Sequence, residues 1–289
     1  MKSLVRLGAI LGIVGCTLLG PSPIAKMSAL ALPVPQVVEK LSPVPVFTIT
    51  DGQNAFFITT VPKQGQGQTG NASVARIFIS QKDAQAFVDQ LKTGNPQLAA
   101  SARVTPVSLG EIYRLAQENK GKPDQVLFAF IPAAQQVQSA KTVLQQTGQQ
   151  VSELNGVPLF VARGGPENGY LTIQRGDKEE LPLFFNKEDL QEMVERFKQQ
   201  QPNVTATIKI EVVNLERILE ALGTENDPSL SQMILIPSRE SLEYLRSRQP
   251  AGTGNQNPQA APSPAPARPA ASPAPARPAA SPAPARPAR

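Results

Sequence analysis

The sequence predicts an α/β fold, α+β-like in character, made of two duplicated lobes with pseudo-two-fold symmetry, each half reading β-β-β-α-β-α-β-α. Three observations carry this. IFISQKDAQAFVDQL at 77–91 returns as LFFNKEDLQEMVERF at 183–197, each time a strand entering a capped helix. The segments that follow recur in the same order about 106 residues later. Both ends of the chain, by contrast, read as lying outside any fold.

Lys2 and Arg6 precede an apolar run over 7–20, too short to cross a bilayer, and Ala29-Leu30-Ala31 supplies the small residues of a cleavage site. Residues 1–31 are therefore expected to be a cleaved secretory signal. A second reading uses Ile13-Val14-Gly15-Cys16, which resembles a lipoprotein processing site and would leave Cys16 lipidated. The apolar run continues past Cys16, which favours the signal peptide. At the other end AASPAPARP recurs with a period of nine and sets Arg268, Arg277 and Arg286 at equal intervals, with Arg289 last. Proline removes donors and alanine has little area to bury, so 251–289 is expected to be a disordered, polyproline-like tail. At about 3.1 Å per residue it would span roughly 120 Å when extended. It serves either as a solubilising spacer or as an electrostatic tether to an anionic surface.

Setting these ends aside changes the charge. Of 28 Lys and Arg, three fall in the signal and four in the tail, leaving 21 against 23 Asp and Glu in 32–250. The body is near neutral, so the pI of 9.4 belongs to the tail and points to no nucleic-acid surface. The single cysteine leaves with the signal, and there is no histidine or tryptophan. His-dependent triads, His-containing zinc sites and cysteine nucleophiles are thereby excluded. The remaining carboxylates, such as Glu188, Asp189, Glu192 and Glu195, read as a solvated helix face, so the sequence argues against an enzyme and offers no cofactor or metal site. Gly65-Gln66-Gly67-Gln68-Thr69-Gly70 matches a dinucleotide-binding pattern, but β-rich residues follow it instead of the helix that would hold a pyrophosphate.

The body divides into half one, about 44–150, and half two, about 157–248, joined through 153–157. VPVF at 44–47 and VPLF at 157–160 open the halves as strands, and 54–60 and 169–174 each supply a second. The third strand and first helix are the repeated unit itself. Ala84, Phe87, Val88 and Leu91 form one apolar face, and Leu190, Met193, Val194 and Phe197 form the other. Ser80 with Asp83, and Asn186 with Asp189, give both helices the same start signal. Val104–Val107 corresponds to Ile208–Val213, each strand running into a helix, with Ser108 and Glu111 as a capping box in the first copy. LFAFIP at 127–132 then matches MILIP at 233–237, followed in each half by a last amphipathic helix. The period is too long for a solenoid, which leaves two related lobes.

The secretory signal, the proline-punctuated start Leu32-Pro33-Val34-Pro35, the VPVF and VPLF openings, IFIS and LFFN before capped helices and the two β-α-β-α series together resemble a known family. It is the twenty-two-kilodalton subunit of the translocon at the inner envelope of chloroplasts (the Tic complex), in its cyanobacterial periplasmic branch. The resemblance covers about 32–248 and lies in layout more than in any short signature. It implies a soluble periplasmic protein, with the thylakoid lumen as the other compartment. That protein would escort unfolded precursors of outer-membrane barrel proteins to the membrane assembly machinery; ATP is not expected to take part, because the sequence holds no phosphate-binding loop in proper context. The resemblance carries no catalytic residues over.

The residues give this role partial support. Phe56 and Phe57 point to opposite strand faces, as do Phe184 and Phe185, or Leu159 and Phe160, so a second apolar face needs covering in each sheet. Packing between the lobes would cover it; an apolar groove for a client segment is the functional reading. Candidate client contacts are Phe56, Phe57, Tyr113, Phe160, Tyr170 and Phe184, some of which are expected to be core. The alternative function is a structural envelope adaptor, tethered by its basic tail and touching the membrane peripherally at most.

Overall fold

A computed structural model describes residues 31–62, 70–149, 153–164, 168–200, 208–225 and 227–248. The tail, nearly all of the signal segment and most of the Gly65–Gly70 loop lie outside these residues. Helix α1 (Val34–Leu41) comes first. Half one continues with β1 (Pro45–Thr50), β2 (Ile58–Pro62), β3 (Asn71–Phe78), α2 (Gln81–Gly94), α3 (Pro96–Ala99), β4 (Arg103–Ser108), α4 (Leu109–Asn119), β5 (Val126–Ile131) and α5 (Ala134–Gln146). Half two contains β6 (Pro158–Gly164), β7 (Gly169–Tyr170), β8 (Ile173–Arg175), β9 (Lys178–Phe184), α6 (Lys187–Gln200), β10 (Lys209–Asn214), α7 (Leu215–Thr224), α8 (Pro228–Gln232), β11 (Met233–Ile236) and α9 (Arg239–Arg248).

Several boundaries differ from the sequence expectation. The proline-punctuated start is a helix, because Pro35 falls in its first turn, where a missing N–H costs nothing. The strand expected over 54–60 begins only at Ile58. Asp51 Oδ1 accepts the amides of Gln53 and Ala55 at 2.8 and 2.9 Å, and Asn54 adopts φ +65°, so a turn occupies that stretch. The strand expected over 169–174 is split into β7 and β8, and α3 and α8 are short additions. The N-cap reading survives in detail: Ser80 Oγ accepts the Asp83 amide and Asn186 Oδ1 the Glu188 amide. Ser108 likewise caps α4, but the Glu111 carboxylate turns to Arg114 instead of closing a capping box.

Each half builds one sheet. In half one β1 pairs antiparallel with β4 and β3, while β5 runs parallel along the other side of β3. In half two β6 pairs antiparallel with β10 and β9, and β11 runs parallel to β9. The registers correspond, Pro45 opposite Ser108 and Pro158 opposite Asn214, Phe47 opposite Phe78 and Phe160 opposite Phe184.

Both faces of the central strands are buried. Val46 and Ile77 from the first sheet, with Ile79 just past β3, join Leu159, Val161, Leu181 and Leu183 from the second in one central cluster. Helices α1, α4 and α7 add Leu41, Ile112 and Leu222 to it. The opposite face of the first sheet, with Phe47, Ile49 and Phe78, is covered by Ala84 and Val88 of α2 and by Tyr244 of α9. The opposite face of the second, with Phe160, Ala162 and Phe184, is covered by α6 and by Ala140 and Val143 of α5. The last helix of each half thus covers the sheet of the other half. Among the described residues no helix is long and apolar enough to cross a membrane.

Candidate functional site

Where the halves meet, the surface sinks into a groove of about 470 Å³. One wall is β5, whose Phe128 and Phe130 pack against the central cluster while remaining half-exposed. Another is the face of α4 carrying Tyr113 and Ala116, and the third is α7 with Leu219 and Gly223. The helices approach closely because residue 223 is glycine; a Cβ there would lie 2.6 Å from the Tyr113 hydroxyl. Leu32 and Val34 close one end, the Leu32 amide donating to the Leu222 carbonyl at 3.2 Å.

The lining is mostly apolar, with Gln117, Lys120, Gln125, Glu216, Glu220 and Thr224 as its polar residues. Glu216 accepts the Val157 amide on both carboxylate oxygens, at 3.0 and 3.3 Å, which ties the first turn of α7 to the start of β6. Burial pushes the Tyr113 phenol pKa up, so it stays a neutral hydroxyl at physiological pH. Such a surface can take up apolar side chains.

The candidate residues separate into two groups. Phe160 and Phe184, with 0 and 6% exposure, are core residues, a correction to their reading as client contacts, and Tyr113 is 6% exposed. Phe160 and Phe184 pair across β6 and β9 under α5 and α6, so their face is covered by helices. Tyr113, although buried, lines the groove on its α4 wall. Phe56, Phe57 and Tyr170 are half-exposed. Phe56 meets Phe128 edge-on at 5.9 Å, at the back of the groove's β5 wall. Phe57 packs on the other face of the first sheet, and Tyr170 lies under the Arg163 guanidinium, 5.3 Å from the ring. The six therefore do not converge on one site. Of the residues that do converge, Leu127, Phe128, Phe130 and Leu219 were visible in the sequence only as an apolar strand and a helix, and Val34 only as part of the proline-punctuated start.

The two-sheet frame has counterparts in known proteins. A solved structure of Anabaena Tic22, a protein of protein transport, matches with a TM-score of 0.65 and 33% identity, over 75% of this chain and 97% of that one. Tic22 from Plasmodium falciparum shares the fold with a TM-score of 0.57 and 24% identity, over 73% and 96% of the two chains. Among relatives, the chloroplastic TIC 22 proteins of Pisum sativum and Arabidopsis thaliana are 23% and 25% identical, over 70% and 71% of this chain and 72% and 68% of their own lengths. The model of the Tic22-like family matches residues 15–247, both halves and the groove included, and the chain accordingly belongs to the Tic22-like family.

Proposed function

We propose that the chain is a periplasmic, ATP-independent escort in protein transport, holding unfolded precursors of outer-membrane barrel proteins and passing them to membrane assembly machinery. The observation that carries this reading is the groove, an open apolar concavity whose walls come from both halves. The transport role of the Anabaena relative supports it. Binding by apolar contact needs no chemical step, and release follows from weak affinity, because association and ordering costs offset most of the gain from burial. Nucleotide coupling has no support in the one glycine-rich loop, since Gly70 passes directly into strand β3 and no helix opens there to hold a phosphate.

The test is light scattering of a denatured barrel precursor diluted with and without the protein. Val34 lines the groove and is 40% exposed, so Val34→Ser should weaken suppression of scattering while changing stability by less than about 0.5 kcal/mol. Unchanged scattering at several-fold molar excess of the wild type, for several barrel clients, would sink the escort reading and favour the tail-tethered adaptor.

A further inference from the structure

The two sheets protect their ends in different ways, and one strand is left unprotected. An outer strand offers a row of free N–H and C=O groups to any extended chain, and charges, prolines or a covering group are the usual defences. Strand β4 carries Arg103 and Pro106, β10 carries Lys209 and Glu211, and β2 ends in Pro62. In β11 the Ile236 carbonyl accepts from the Phe185 amide just past β9, so by alternation the Met233 carbonyl faces outward. Lys40 of α1 covers it, its Nζ donating to the Met233 and Ser231 carbonyls at 2.8 Å each.

Strand β5 is the counterpart of β11 and has none of these defences. Its sequence, VLFAFI, contains no charge and no proline. The Ile79 amide donates to the Ile131 carbonyl at 3.1 Å, so Leu127, Ala129 and Ile131 direct their backbone groups to β3. Those of Val126, Phe128 and Phe130 face away from β3, where no described strand pairs with them. On the same side lies the groove, into whose lining these three residues fall.

Resting on the escort reading above, we propose that β5 is the docking edge of the groove: an extended client segment with alternating apolar residues adds to it as a further strand. The chemistry on the two sides is complementary. An unfolded chain has unpaired amides and carbonyls, as does the outer edge of β5, and every second side chain of an added strand would point into the space bounded by Tyr113, Val34 and Leu219. Hydrogen bonds to the main chain are indifferent to client sequence, which suits a protein serving many precursors. Selectivity for strand-forming segments then comes from the alternation, which a barrel strand has and an amphipathic helix lacks.

The probe is a synthetic peptide of about ten residues alternating Val or Tyr with Ser or Thr, the length of a barrel strand. Two further versions are N-methylated on one or the other set of alternate residues. Bound to the full-length protein, the parent peptide should slow hydrogen exchange at the Phe128 and Phe130 amides. One N-methylated version should lose roughly tenfold or more in affinity while the other binds nearly as the parent, since only one set of amides faces β5. Leu127→Lys, placing a charge on a residue 45% exposed, should lose a similar factor. If both N-methylated versions bind as the parent does and the Phe128 and Phe130 amides stay unprotected, strand addition is overturned while the groove reading stands. Pairing of β5 with a second copy, seen as a dimer that Leu127→Lys dissociates, would overturn it as well. Absence of peptide binding overturns strand addition, and only absence of scattering suppression overturns the escort reading with it.

Discussion

Gly110 sits where α4 meets α1. A Cβ at this position would come within 2.4 Å of the Val38 carbonyl oxygen, a backbone atom of a packed helix. Alanine is favoured over glycine within a helix by about 1 kcal/mol. The clash outweighs that gain, because α1 is anchored through the fully buried Val37 and Leu41 and cannot withdraw without opening the central cluster. Gly110→Ala should destabilise the protein by about 1–3 kcal/mol, read from the urea midpoint. Lys40 makes a second residue-scale case. Partial burial lowers its pKa below the ordinary lysine value, and attraction to Glu180 offsets this only in part. The unfolded chain therefore binds more protons at this site between the lowered and the ordinary pKa, so Lys40 makes stability rise with pH in the window just below 10.5. Lys40→Met keeps the stem but loses both hydrogen bonds to α8 and β11, at a cost of about 2 kcal/mol. The difference in stability between wild type and variant should widen as pH rises through that window, measured by urea titration; a difference that stays flat would show that the ammonium is not desolvated.

At the scale of elements, the exchange of last helices is the main structural fact. Asp83 in the first turn of α2 accepts the Ala134 amide at the start of α5, and Asp189 in the first turn of α6 accepts the Arg239 amide at the start of α9. From these points α5 covers the second sheet and α9 the first, where Tyr244 meets Phe47 edge-on at 5.4 Å. Helix α9 is strongly charged and buries little apolar area of its own, yet it covers Phe47 and Phe78. Ending the chain after Ser238 should therefore lower the melting temperature and raise binding of an apolar dye. Ending it after Arg248 removes only the Pro/Ala/Arg segment and should leave the melting temperature unchanged. The existence and order of these helices were legible in the sequence because caps and apolar faces are local signals, as at Ser80 and Ala84. The partner sheet of a helix is not a local property, so the exchange was hidden. Helix α1 was hidden for another reason: Pro33 and Pro35 read as breakers unless they fall at a helix start. The same limit applied to the site. Phe160 and Phe56 read alike in the sequence as aromatic strand residues, but α5 and α6 bury the first, while the second precedes β2 and is half-exposed.

For the whole molecule, the registers of β1 with β4 and of β6 with β10 correspond, as do the Asp83 and Asp189 contacts, so the two halves repeat these local arrangements. Such a relation does not make them independent domains. The central cluster takes strand and helix residues from both halves, and removing either half would expose Val46, Ile77 and Leu109 or Leu159, Leu183 and Leu215 to water. Each sheet would also lose one of the two helices over its other face. A half alone therefore leaves both sides of its sheet only partly covered, and a chain of its length has little burial to spare. Residues 32–150 and 153–248 produced separately should show no cooperative thermal transition. Mixed together, they should regain a single transition, since the contacts between them are those of one core. The intact protein should unfold in one step, with circular dichroism and tyrosine fluorescence giving the same midpoint. A fragment that melts cooperatively by itself, or two separated transitions in the intact chain, would show that the halves are stable lobes docked on one another. The groove would then be an interface able to open, instead of a fixed feature of one core.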